Sequence, residues 1–352
     1  MQVIDSGFAA SLARVLPGWL RRQTWLSRSA ATLLGVEVLD TETIVRDPAI
    51  GWVDVRAMFG GGVAERYRLI VAVRTEVPSD IDPDAVIGEV EVDGRTLVVF
   101  EAMAWRAGAL SAIRALMPHV VDTAVAPDAL TVLPWGGISP TVLIDVRWEI
   151  KAHRQVSDLP NPDVELPAAM ARAEVGRVAP IAEQVTRNGQ VALALRSSLR
   201  IRQDGLDLVA ASLRQLFEAR VPPRLARNDV ADEMEQIGRG VAEMHVALAT
   251  TFESEPADGG AWAELLLAPL HRLGSGRIRF DRLEGVLQRL QGAEDLGRSI
   301  RTHGNLHLGN VAQTMQGWIP HNFEGDGRPY SELRQNVSPL RDLGRLVVSL
   351  GR

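Results

Sequence analysis

The sequence predicts an α+β protein with two lobes. Strand-like segments rich in Val, Ile and aromatic residues fill the first third, and a 3.6-residue apolar period takes over after Pro160-Asn161-Pro162. The 352 residues suit about two domains. A β-rich front followed by a helical back separates the two kinds of element along the chain, as α+β folds do.

In chain order, Phe8 to Arg22 is a helix candidate broken by Pro17-Gly18. Val36 to Val45, Trp52 to Phe59 and Tyr67 to Val77 alternate as strands, and Val86 to Phe100 forms a hairpin around Asp93-Gly94, a pair that tolerates positive φ. Ala102 to Met117 offers a second helix, ended by Pro118. A further β segment runs from Leu130 through a Gly136-Gly137 turn to His153, and another strand spans Val191 to Leu195. Asn228 or Asp229 caps a helix whose apolar positions are Met234, Ile237, Val241, Met244, Leu248 and Phe252. Glu255 to Gly260 reads as a surface loop.

Charge and composition narrow the function. With 38 Lys+Arg against 44 Asp+Glu the formal charge is -6, which disfavours nucleic acid and acidic membrane surfaces as partners. Zero cysteines exclude a disulfide framework, a thiolate metal site and a cysteine nucleophile, and point to a reducing, cytoplasmic compartment. No apolar run approaches the roughly 18 residues that span a bilayer. Lys151 is the single lysine in the basic set, and every other member is arginine.

Two polar segments carry the chemistry. His303-Gly304-Asn305-Leu306-His307-Leu308-Gly309-Asn310 is followed by Asn322-Phe323-Glu324-Gly325. They resemble the catalytic loop and metal-binding segment of the aminoglycoside-phosphotransferase-like kinases, most closely the actinobacterial maltokinases and related sugar kinases. Those families read H-G-D-L-H-x-x-N/Q and then D-F-E-G. The resemblance extends to Arg328-Pro329, to Ser338-Pro339-Leu340-Arg341-Asp342-Leu343, and to Gly240-Val241-Ala242-Glu243-Met244-His245. Lys151-Ala152-His153-Arg154 and Asn161-Pro162-Asp163-Val164-Glu165 resemble the phosphate-binding Lys strand and the helix that carries its Glu partner. Trp19 to Leu26 resembles the maltokinase N-terminal cap.

The resemblance implies a protein-kinase-like fold with an N-terminal cap, ATP and Mg²⁺ as cofactors, and a sugar or amino sugar as phosphate acceptor. It implies three segments: 1–125 as cap and β-rich intermediate subdomain, 126–200 as the rest of the nucleotide lobe, and 201–352 as the helical lobe. Phosphoryl transfer needs a cation on the phosphates, a carboxylate to fix it, metal ligands, and a residue orienting the acceptor. Lys151 and Glu165 are the implied cation and partner, with Gly136, Gly137 and Ser139 as the turn over the phosphates. Asn310, Asn322 and Glu324 are the implied metal positions, and Asn305 holds the catalytic position. His303, His307, Arg341 and Asp342 are implied as acceptor or support residues. The adenine is expected near Leu195 to Ser198. The sequence ends at Arg352, where the resemblance expects further helices.

Two departures matter. Asn305 stands where the family has its catalytic Asp, and Asn322 where it has the metal-binding Asp. An amide cannot accept the acceptor's proton, and general-base help is worth about 10²–10⁴ in rate. Two functions therefore compete: an ATP-dependent sugar phosphotransferase of reduced activity, and a pseudokinase that binds a nucleotide or a protein partner. If only the two carboxylates are missing, restoring both should restore transfer. A purely structural degenerate copy is a third reading, while a zinc site at His303, His307 and His321 is an alternative reading of that segment, which Gly304 disfavours by interrupting the helix that would align the first two.

Overall fold

The computed structural model describes residues 4–26, 33–122, 124–134, 136–175, 178–220, 230–273, 280–293 and 296–351. The chain divides into two compact units. One comprises Met1–Pro167, Ala179–Arg200 and Glu324–Tyr330; the other comprises Ala168–Val178, Ile201–Phe323 and Ser331–Arg352.

The first unit opens with helix α1 (Ser6–Leu20). It continues through strands β1 (Leu33–Val45), β2 (Ala49–Phe59), β3 (Ala64–Arg74), β4 (Val86–Val92) and β5 (Arg95–Glu101). Helix α2 (Arg106–Leu116) leads to β6 (Leu130–Val132), β7 (Thr141–Ile144), β8 (Trp148–Ala152) and β9 (Gln155–Val156). Helix α3 (Pro162–Arg172), of which the residues up to Pro167 belong to this unit, precedes β10 (Ile181–Arg187) and β11 (Gln190–Ser197). Six strands form one sheet in the order β1-β2-β3-β5-β4 with β9 beside β3, and five form another in the order β10-β11-β8-β7-β6.

Period-two alternation gives the first sheet two dry faces. Val53, Val55, Phe59, Leu69 and Val71 pack with Phe8, Leu12, Leu16 and Trp19 of α1. Ile50, Trp52, Ile70, Ala72 and Phe100 pack with α2 and with Ile150, Leu193 and Leu195 of the second sheet. Asp54 and Arg68 also turn to this second face, where bonds at 2.7 and 2.8 Å join Arg68 Nε and Nη2 to the two carboxylate oxygens.

The second unit contains β12 (Gln203–Asp204), α4 (Gly205–Ala219), α5 (Ala231–Thr251), β13 (Glu255–Pro256), α6 (Gly259–Leu273), α7 (Phe280–Gln291) and β14 (Arg298–Ser299). It ends with β15 (Val311–Thr314), β16 (Gly317–Pro320), α8 (Tyr330–Leu333) and α9 (Leu340–Leu350). Its strands form the sheets β12-β15-β16 and β13-β14. Helix α5 buries Ile237, Val241, Met244 and Leu248 of the expected stripe; Met234 is half-buried, and Phe252 is the extended residue that follows the helix. Gly240 lets this helix approach β16, since a Cβ there would lie 3.0 Å from the Trp318 carbonyl.

Several local expectations hold. Asp93 and Gly94 turn the β4–β5 hairpin at φ 49° and 71°. Others need correction. Helix α1 runs through Pro17 instead of breaking there: the proline sits in the last turns, where it forfeits one backbone bond while Leu16, Trp19 and Leu20 remain buried. The helix expected from Ala102 is a 3₁₀ turn, Ala102–Ala104, followed by α2, because Trp105 is extended and packs edge-on against Phe100 at 5.8 Å. Val230 precedes α5 without a side-chain cap, and Asn228 and Asp229 lie outside the described residues. The loop from Glu255 partly pairs as β13 with β14, and α6 begins at Gly259. Among the described residues no helix is long and apolar enough to cross a membrane.

Candidate functional site

Within the first unit, Lys151 sits on β8, the central strand of the five-stranded sheet, in register with Thr141 and Ala194. Ile150 and Ala152 face the core, so alternation sends Glu149 and Lys151 to the opposite face. Lys151 Nζ lies 3.0 Å from Asp163 and 3.3 Å from Glu324, with all three side chains nearly inaccessible. The helix carboxylate is thus Asp163, where the sequence pointed to Glu165. Residues two apart on an α-helix face about 200° apart, so one helix orientation cannot aim both at the same ammonium. Asn161 sets that orientation: its Oδ1 accepts the Asp163 N–H at 2.9 Å and its carbonyl the Glu165 N–H at 2.9 Å.

Asp163 also faces Arg196, 3.6 Å away, and Arg196 Nε donates to its cross-strand partner Glu149 at 2.8 Å. Burial alone would lower the pKa of Lys151, but Asp163 and Glu324 outweigh it and raise the pKa above the ordinary 10.5. Burial alone would raise the Asp163 pKa, yet Lys151 and Arg196 hold it far below the usual carboxylate range. Glu324 is lowered for the same reason, against its own burial, chiefly by Lys151 and the hydrogen bond to His153.

Glu324, expected as a metal ligand, is committed within this unit. Its Oε1 bonds His153 Nδ1 at 3.0 Å and accepts a short hydrogen bond from Ser139. Ser139 is therefore brought to Lys151's partner by the turn that begins at Gly136, whose φ is 110°. Arg154 holds that turn, donating to the carbonyls of Gly137 and Ile138 at 2.8 and 2.9 Å while its Nε bonds Glu101 at 3.0 Å. His153, Asp163 and Glu324 are the only described groups clustered closely enough for a metal ion. Lys151 already supplies the positive charge to two of them.

Within the second unit, the segment from His303 to Asn310 is fixed from below by Asp342, which is fully buried in the first turn of α9. Its carboxylate accepts the N–H groups of His303 at 2.8 Å and Gly304 at 3.1 Å, and meets His245 Nε2 at 3.0 Å. Burial opposes the charge on Asp342, but His245 and His303 keep its pKa low. His303 Nε2 lies 2.9 Å from the His321 carbonyl, which can only accept, so Nε2 carries the proton and Nδ1 accepts the Asn305 N–H at 3.3 Å. The His303 ring lies against Phe323, centroids 4.7 Å apart. His307 Nδ1 accepts the Gly309 N–H at 3.1 Å and opens the 3₁₀ turn Leu308–Asn310. Arg341 N–H donates to the Ser338 carbonyl at 3.0 Å as α9 begins.

The three asparagines form one chain of hydrogen bonds. Asn310 Nδ2 donates to the Asn305 carbonyl at 2.9 Å, and Asn322 Nδ2 donates to Asn310 Oδ1 at 3.1 Å. Arg345 Nη1 donates to Asn305 Oδ1 at 3.0 Å. Sequence reasoning missed Arg345, Arg196 and the role of Asp163.

Comparison with known proteins agrees with this architecture. Residues 19–104 match the family model of the maltokinase N-terminal cap domain. The whole chain is similar to a glucosamine kinase solved in complex with glucosamine, ADP and inorganic phosphate, with a TM-score of 0.51 at 15% identity over 97% of this chain and 78% of that one. Another crystal form of glucosamine kinase gives a TM-score of 0.56 at 14% identity, over 97% and 75% of the two chains. The fold is thus the expected α+β, kinase-like one, with a maltokinase-type cap.

Kinase folds imply Mg²⁺, and the residues present do not fit it. Mg²⁺ is held by oxygen ligands, one or two of them carboxylates. Here Asn310 Oδ1 already accepts an N–H from Asn322, and Glu324 is taken by Lys151, His153 and Ser139.

Proposed function

We propose that this protein is a sugar-kinase-like pseudokinase: a nucleotide-binding module with a kinase fold, little or no phosphotransferase activity, and a regulatory role exerted through a protein partner. The observation that carries this reading is the wiring of Asn305 and Asn322. The first is held by Arg345 and the second donates to Asn310, so neither position offers a base or an anionic ligand. Loss of the base alone costs about 10²–10⁴ in rate. Lys151 supports retention of the nucleotide. A compact ammonium meets phosphate as a point charge, and a phosphate oxygen would displace the longer of its two pairs, that to Glu324 at 3.3 Å. The adenine is assigned to the backbone at Leu195 to Ser198, at the end of β11.

A second reading, slow ATP-dependent transfer to a sugar or amino-sugar hydroxyl with Asn305 orienting the acceptor, is favoured by the intact Lys151–Asp163 pair. The likeness to a glucosamine kinase and the match to the maltokinase cap make glucosamine and maltose the first acceptors to try. Two measurements separate the readings. ATP or ADP should raise the melting temperature through preferential binding to the folded state. ADP release over a sugar panel should stay at background. No thermal shift would remove the nucleotide role, and sugar-dependent ADP release would install the second reading.

A further inference from the structure

The amide chain in the second unit has a fixed polarity. The Asn305 carbonyl can only accept, so the Asn310 atom facing it is Nδ2, at 2.9 Å. That leaves Asn310 Oδ1 on the other side, and the Asn322 atom 3.1 Å from it must then be Nδ2. Arg345 has no acceptor, so the atom of Asn305 that it meets at 3.0 Å is Oδ1. A cation approaching Asn310 Oδ1 meets the Asn322 N–H. Turning Asn310 round to escape this would set its oxygen against the Asn305 carbonyl. The network holds a guanidinium and no carboxylate among these four side chains, the reverse of what a divalent cation needs.

We infer that nucleotide binding by this protein is independent of divalent metal: the ligand is the bare nucleoside di- or triphosphate polyanion, not its Mg²⁺ complex. The inference rests on the nucleotide-binding role proposed above and specifies the ionic form of the ligand. Amide groups and a guanidinium lend this network no negative charge with which to hold a divalent cation.

The test is calorimetric titration of ADP into the full chain, once with excess Mg²⁺ and once with excess EDTA. Dissociation constants within about threefold of each other are expected. Tightening by Mg²⁺ of about tenfold or more would overturn the inference and leave the nucleotide role standing. Absence of binding in both buffers would overturn that role and the inference with it. Asn322→Asp provides a second arm. Asn322 has φ 64°, a conformation Asp also tolerates, so the backbone should accept the change. The new carboxylate should make ADP binding about tenfold tighter with Mg²⁺ than with EDTA. Indifference of the folded variant to Mg²⁺ would show that the amide chain is not the cause.

Discussion

Arg345 Nη1 donates at 3.0 Å to Oδ1 of Asn305, the residue that the sequence resemblance expects at the catalytic position. The same nitrogen bonds the Gly304 carbonyl, so the guanidinium ties the loop to α9 as well as holding the side chain. An asparagine here is more than a carboxylate removed: its oxygen is occupied by a permanent cation.

Restoring the carboxylates alone should therefore not restore transfer. In the Asn305→Asp, Asn322→Asp double variant, Arg345 would pair with the new aspartate and keep it a poor base. ADP release with glucosamine is expected to stay within about tenfold of background, and adding Arg345→Gln should raise it by about tenfold or more. A double variant as active as the triple would show that Arg345 imposes no restraint.

Lys151→Met should destabilise the protein as well as remove the nucleotide response. It leaves Asp163 and Glu324 buried without their shared cation. Breaking a buried pair in this way costs about 3–5 kcal/mol. Urea denaturation reads the loss, and adding Asp163→Asn should recover part of it. A Lys151→Met protein as stable as the parent would contradict this account.

Acid should erase what Asp163 contributes. Its folded pKa lies below its ordinary 3.8, so its stabilisation is full above that value and fades as pH falls through the lower, folded one. Lys151 behaves oppositely. Its folded pKa is raised above 10.5, so its contribution is full below 10.5 and fades as pH rises through the raised value. The stability gap between parent and Asp163→Asn, followed across pH, should stay level between these limits and close below pH 3.8. A gap that closes near neutrality would assign the stabilisation to another group.

Asp342→Ala should unlock the His303 segment. It removes the acceptor of two backbone N–H groups and of His245, all at a fully buried position. About 3 kcal/mol or more should be lost, measured by denaturation. A change under about 0.5 kcal/mol, ordinary for a surface site, would mean the loop is held elsewhere.

The fold class, the strands of the first unit, the Asp93-Gly94 hairpin and the apolar stripe of α5 were legible in the sequence, because each depends on a local period or a local backbone preference. The identity of Lys151's partner was not. Asp163 and Glu165 are equivalent carboxylates in a linear reading, and only the rotation of α3 set by Asn161 chooses between them. The hydrogen bonds and ion pair of Glu324 were equally hidden, since they join it to Lys151, Ser139 and His153, residues up to 185 positions apart.

By itself, then, the sequence determined which side chains are available: a single lysine, two asparagines at positions where the resemblance expects aspartate, and the segments that bear them. Tertiary structure decided what those side chains do. An amide is both donor and acceptor, and its role is fixed only by what it faces. The Asn305 carbonyl and Arg345 supply that constraint, and they orient the asparagine chain so that Asn322 turns an N–H toward Asn310 Oδ1.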